Sequence, residues 1–169
     1  SVSVIIPNYN HALYLKQRIE SVLNQTQQDF ELIILDDCST AQSKTIIESY
    51  RNHPKVSHVL YNHQNSGSVF KQWIKGIELC QGDYVWIAES DDYASEFFLQ
   101  ETLISLQNNP SLGMVFTKSQ AVNENGETIN NTWEAKENSI KKLASFGNVI
   151  NKENAPLFLV SPMIVENAS

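Results

Sequence analysis

The sequence predicts an α/β fold, a three-layer sandwich around a mainly parallel sheet, with an irregular C-terminal part. Three observations carry that expectation. Short apolar runs alternate four times with segments whose apolar residues recur at helical spacing, the order of a parallel sheet with helices on its faces. Each run leads into a polar cluster: Asn8-Tyr9-Asn10, Asp36-Asp37, Asn65-Ser66-Gly67 and Glu89-Ser90-Asp91-Asp92. After Asn109-Pro110 the alternation stops.

Residues 2–7 have the composition of a strand buried on both faces, and Pro7 closes the run because proline brings no N–H to a ladder. Over 12–25, Leu15, Ile19, Val22 and Leu23 share one helical face, which leaves Lys16, Gln17, Arg18 and Glu20 mostly outside. Residues 30–35 form a second buried strand. A helix over about 42–50 follows, with Ile46, Ile47 and Tyr50 as its apolar stripe. Residues 56–61 alternate more, as a strand nearer an edge does. A helix over 69–80 offers Phe70, Trp73, Ile74 and Ile77 to the core, and Trp86 also reads as a core aromatic. Residues 84–88 are the fourth strand. The helix after it, over 96–108, presents Phe97, Leu99, Leu103, Ile104 and Leu106. Further on, the pattern predicts a long strand over 113–122, a hairpin turn at 123–126 and a weaker strand over 127–133. A short helix over 139–146 and a last strand over 156–165, interrupted by Pro162, complete the reading.

A length of 169 residues fits one domain with a sizeable core. Twelve basic residues against nineteen acidic ones, with no basic run, argue against a nucleic-acid partner. No apolar stretch approaches the roughly 20 residues that cross a membrane. Membrane association is therefore expected only through a longer parent protein. The chain opens directly on a strand and closes without a terminating element, which reads as an excised domain. Cys38 and Cys80 have no metal-ligand spacing and read as reduced thiols, which suits a cytoplasmic location. Asn24-Gln25-Thr26 and Asn130-Asn131-Thr132 match the glycosylation sequon, but three-residue matches are common and nothing else suggests secretion.

In a parallel sheet the carboxyl ends of the strands share one rim, and ligands of open α/β sheets bind outside it. Four loops therefore converge on one cleft. The last of them packs three carboxylates, Glu89, Asp91 and Asp92, into four positions. Such groups resist ionising together unless a positive charge lies among them, and hard oxygen ligands suit Mg2+ or Mn2+. The plainer reading is a solvated turn. Tyr9 supplies a flat face for a base or sugar, and Asp37 an acceptor for N–H or O–H donors, with Asp36 read as structural. Neither G-x-G-x-x-G nor a G-x-x-x-x-G-K-[ST] loop is present. A diphosphate here would be held through a metal, with Lys71 as a helper or as a merely solvated helix-start lysine. His11 is near this cleft, whereas His53, His58 and His63 read as surface residues.

Several of these segments, taken in order, closely resemble the family 2 glycosyltransferases: residues 2–10, 21–26 and 30–39, then Gly82-Asp83-Tyr84 and Ser90-Asp91-Asp92. The resemblance implies a GT-A (Rossmann-like) fold and transfer of a sugar from a nucleotide-diphosphate donor, UDP-type or similar, with inversion at the anomeric carbon. It implies a saccharide or lipid-linked acceptor, Mn2+ or Mg2+ as cofactor, and a place in bacterial polysaccharide synthesis. Carried over by position, Pro7 and Tyr9 would line the base pocket and Asp37 would hydrogen-bond the base. Asp91 would touch the ribose or donor sugar, and Asp92 would ligate the metal. Glu89 stands where many members have aspartate. Residues 1–108 would be the nucleotide-binding half and 109–169 the start of the acceptor side. The family's catalytic base belongs to a later motif, expected beyond residue 169.

Other readings share parts of this pattern. A phospho-receiver domain has an acidic pair like Asp36-Asp37, but after its first strand rather than its second. A sugar nucleotidyltransferase wants a glycine-rich loop after the first strand, and a nucleotide-binding domain without catalysis would look much the same.

Overall fold

The computed structural model describes residues 1–129 apart from Phe116, Lys118 and Glu124. The chain divides after Gln100 into two compact units, and the first holds the sheet and all the site residues named above. Among the described residues eight elements follow in order: β1 (Val2–Asn8), α1 (Ala12–Leu23), β2 (Phe30–Asp36), α2 (Ala41–Tyr50), β3 (Val56–Tyr61), α3 (Val69–Ile77), β4 (Tyr84–Ile87) and α4 (Phe98–Asn108). The strands pair in the order β3-β2-β1-β4, and every pairing is parallel. β3 is an edge among the described strands, as its alternation implied. The strand order reverses at β1: the chain first runs outward through β2 and β3, then crosses back to place β4 on β1's other side. A reversal of this kind opens a crevice at the carboxyl ends of the two strands that flank it.

Register shows which helix covers which face. Val4 lies beside Trp86 and Ile5 beside Ile87, so each pair shares a face and the two pairs face opposite ways. The Arg18 guanidinium of α1 lies over the Trp86 ring, on the Val4 side, and α2 packs against α1. Gly76 of α3 meets Ile5, on the other side. Helices thus cover both faces of the sheet, and the three layers follow. Val4, Ile5, Ile6 and Leu32 through Leu35 are completely buried between them.

Several expectations need correction. α3 does not bury Phe70, Ile74 and Ile77, which are 58%, 60% and 50% exposed. It turns Gln72 and Gly76 to the sheet instead. A Cβ on Gly76 would come 2.6 Å from Ile5 Cγ2, so the glycine lets the helix backbone lie directly on the strand. Residues 70, 74 and 77 fall on the far side of a helix seated this way. Arg18, expected outside, is buried. Val85 is exposed because β4 is an edge among the described strands, and Phe97 and Ile104 are exposed as well. Among the described residues of 113–122 no continuous strand is seen. A ladder needs a partner strand, and the described residues supply only an isolated antiparallel bridge between Val122 and Thr128. The turn at 123–126 is present: Gly126 N donates to Asn123 O at 2.9 Å, with Gly126 at φ 78°. The expected helix over 139–146 and strand over 156–165 lie outside the described residues, as does the end of the 127–133 strand. Among the described residues no helix is long and apolar enough to cross a membrane.

Candidate functional site

The crevice starts with Pro7. Asn8 O accepts from Asp37 N on the β2 side, and Ile5 O accepts from Ala88 N on the β4 side. Backbone alternation therefore turns residue 7 toward β4, whose ladder with β1 ends at Ile5–Ile87. A proline there lets the strands part without leaving a buried N–H unpaired. Tyr9 follows at the rim, about half exposed. The chain then turns at Asn10, which has φ 60°, a left-handed conformation that asparagine tolerates better than most residues. Asn10 is clasped to the next loop: its Oδ1 accepts from Thr40 N, and its N donates to Ser39 Oγ, both at 2.9 Å.

At the end of β2 both carboxylates are buried. Asp36 accepts from Asn8 Nδ2 at 2.7 Å and from Ser39 N at 2.9 Å, which closes the turn, as expected of a structural aspartate. Asp37, expected to face a ligand, gathers the loop between β3 and α3. Its Oδ1 accepts from Asn62 Nδ2 at 2.6 Å, Ser66 N at 2.9 Å and Gln72 Nε2 at 2.9 Å. Its Oδ2 accepts from Ser66 Oγ at 2.8 Å and, more weakly, from Ser66 N at 3.1 Å. Lys71 ties the same loop, its Nζ donating to Ser66 O at 2.9 Å.

The corner after β4 is built differently. Ser90 is buried with its Oγ 2.8 Å from His11 Nδ1, and Trp73 Nε1 donates to Glu89 Oε1 at 2.8 Å. Arg18 reaches up from α1, its Nε donating to Glu89 O at 2.6 Å. Its Nη2 lies 3.8 Å from Asp92 Oδ2, a charge contact too long for a hydrogen bond. Asp91 and Asp92 are both partly exposed, with the Asp92 side chain at 42%. Burial lowers the Arg18 pKa to about 10, although Asp92, Asp91 and Glu89 oppose the shift. Burial also raises the Asp92 pKa, with Asp91 adding to the shift and Arg18 opposing it. Both members of the pair are thus pushed toward neutrality, because desolvation outweighs their attraction at this separation.

The donor set accommodates a divalent cation only in part. Asp91 and Asp92 offer hard oxygens at an accessible mouth, which suits Mg2+ or Mn2+. Among the described residues no group of three His, Cys, Asp or Glu side chains could hold a metal. A cation here would need oxygens from a ligand to complete its shell.

Pro7, Tyr9, Asp37, Asp91 and Asp92 belong to loops or strand ends on the carboxyl rim, and Lys71 to the first turn of α3. Sequence reasoning missed Arg18 and Trp73 as parts of this site. The signal for Arg18 was its spacing: positions 15, 18, 19 and 22 make one continuous buried stripe, and a charged residue within such a stripe needs a buried partner.

Residues 3–155 match the family model for glycosyl transferase family 2. The chain belongs to that family. Among its relatives, chondroitin synthase of Escherichia coli is 33% identical over 145 residues, 85% of this chain and 21% of that protein. The putative teichuronic acid biosynthesis glycosyltransferase TuaG of Bacillus subtilis is 41% identical over 91 residues, 54% of this chain and 36% of that protein. The crystal structure of S. aureus TarS 1-349 in complex with UDP superposes with a TM-score of 0.60 at 28% identity, over 73% of this chain and 38% of that one. This family 2 chain therefore spans well under half the length of each of these three relatives.

Proposed function

We propose that this chain is the donor-binding part of an inverting, metal-dependent glycosyltransferase. It would move a sugar from a nucleoside diphosphate to an acceptor hydroxyl in the synthesis of a cell-surface polysaccharide. The observation that carries the reading is the convergence of an aromatic face, Tyr9, and two acidic corners on the crevice where the strand order reverses. Membership of family 2 supports the reaction class. The TarS complex with UDP supports a UDP-type donor, and the names of the chondroitin and teichuronic acid relatives support the polysaccharide setting.

In this reading Pro7 and Tyr9 frame the base, with the Tyr9 ring as a stacking surface. Asp37 meets the base through Oδ2, the oxygen with fewer donors, while it holds the loop over 62–72 as a wall. Lys71 and Asp91 line the way to the sugar, and Asp92 holds Mn2+ or Mg2+. When bound, the cation would neutralise charge on the departing diphosphate. Arg18 and Trp73 fix the backbone and side chain of Glu89, and so the path of the loop that carries Asp91 and Asp92. The acceptor hydroxyl must lose its proton as it attacks, and none of these residues is assigned that task.

Thermal unfolding tests the reading. UDP together with Mn2+ or Mg2+ should raise Tm, by the equivalent of about 2.7 kcal/mol at a hundredfold excess over Kd, while UDP or metal alone should do much less. Stabilisation by beryllofluoride without a nucleotide would favour the receiver reading instead.

A further inference from the structure

The acidic corner holds a built-in cation whose attachment is uneven. Arg18 is only 4% exposed, and its Nε is fixed to the Glu89 carbonyl at 2.6 Å. Its guanidinium carbon lies 5.7 Å from the centre of the Trp86 ring. The outer nitrogens are less engaged. Nη1 is buried with no hydrogen-bond partner, and Nη2 meets Asp92 only across 3.8 Å. Asp92 is therefore neutralised by Arg18 without being captured, and it can turn away without breaking a hydrogen bond.

A lone divalent cation at this corner meets two obstacles. The described residues offer it no set of three ligating side chains, and a fixed positive charge lies beside the carboxylate it needs. A cation carried on a nucleoside diphosphate meets neither. The diphosphate supplies the missing oxygens, and the complex as a whole is negative, so the guanidinium attracts it. Arginine's planar fork suits phosphate oxygens, and Nη1 is a donor still lacking an acceptor.

We propose that Arg18 is the positioning residue of this corner, withholding Asp92 from a free divalent cation and releasing it to one that arrives on a nucleoside diphosphate. The inference rests on the reading of this rim as a metal–nucleotide site. It predicts an order: metal and nucleotide bind together, or nucleotide first.

Calorimetric titration separates the possibilities, with Mn2+ alone and with UDP in the presence of Mn2+, on the wild-type chain, Arg18→Met and Arg18→Lys. Arg18→Met should tighten Mn2+ binding on the order of tenfold, the scale for removing one charge a few ångströms from a divalent ion at water-like screening. The same substitution should weaken UDP binding in Mn2+, so the two affinities move in opposite directions. Loss of packing alone would lower both together. Arg18→Lys, which keeps the charge and folds on the same stem, should retain the wild-type preference for Mn2+ with UDP over Mn2+ alone. In an Asp92→Asn background, Arg18→Met should no longer tighten Mn2+. Affinities that stay unchanged or fall together in a folded Arg18→Met chain overturn the inference, as does a lysine variant that behaves like methionine. If the wild-type chain binds no UDP with Mn2+, the functional reading beneath it fails instead.

Discussion

At the end of β2, two adjacent carboxylates are buried and every donor they meet is neutral: amides, hydroxyls and backbone N–H groups. At the end of β4, two adjacent carboxylates are half open to solvent, and the group that faces them is a buried guanidinium at 3.8 Å from Asp92. The first corner ties three loops together. The second keeps its charge in tension, with both Arg18 and Asp92 pushed toward neutrality by burial. Adjacent acidic residues at strand ends thus serve opposite ends. One pair is tied into the fold by neutral donors, and the other keeps much of its oxygen surface open beside a buried cation.

The comparison is most exposed at Asp37. Asp37→Ala removes the shared buried acceptor of Asn62, Ser66 and Gln72, so urea unfolding should show a loss of about 2–4 kcal/mol. A loss under about 1 kcal/mol would mean that the first corner is not structural. Arg18→Met should cost far less, within about 1 kcal/mol of wild type, because the guanidinium has an unpartnered nitrogen and Asp92 can rely on solvent. If it costs as much as Asp37→Ala, the two corners are not different in kind. Asp92→Asn should leave Tm at neutral pH unchanged or slightly higher. A carboxyl whose folded pKa is raised disfavours the fold while charged, so removing the charge removes that penalty. The same variant should lose metal-dependent UDP binding, and binding that survives would remove Asp92 from the metal.

The smallest effect belongs to Glu48, an exposed carboxylate outside both corners. Its pKa is lowered to about 2 by hydrogen bonds from Arg51 and Tyr61. A depressed folded pKa contributes stability above the ordinary 4.5 and loses it as pH falls from there through about 2. Glu48→Gln should therefore lower stability slightly above pH 4.5 and converge with wild type as pH falls toward about 2, which flattens the acid limb of the stability curve. Such an exposed pair calibrates what ion pairing contributes without burial.

The sheet was legible in the sequence because its signal is local: apolar runs of strand length, each followed by helical periodicity and then a polar cluster. The positions of Asp36 and the β3 edge followed from the same patterns. The faces of α3 were not legible. Phe70, Ile74 and Ile77 make the stronger apolar stripe, yet the helix seats on Gly76 because close approach to Ile5 decides the packing. Likewise, nothing in the spacing of Asp37 shows that its oxygens turn to a loop some thirty residues later, since such bonds depend on where the β3–α3 connection lands. Arg18 was mistaken for a surface residue because its charge was weighed above its place in the 15–19–22 stripe. Of the strand predicted over 113–122 the described residues show only the bridge of Val122 to Thr128, because alternation describes a strand's faces and does not name the neighbour its backbone needs.

In the proposed function the corner after β4 holds a metal-bound nucleoside diphosphate. The most direct measurement is paramagnetic broadening of amide resonances by Mn2+ in the presence of UDP. The chain carries its own control: Ser1, Asp29 and Asp83 gather at the opposite rim, where the terminal amine pairs with both aspartates at 3.3 and 2.9 Å. The signals of residues 89–93 should broaden first, and only weakly without UDP, while residues 29 and 83 should be spared. Broadening centred on that opposite rim, or equal broadening at 89–93 with and without UDP, would contradict the proposed function.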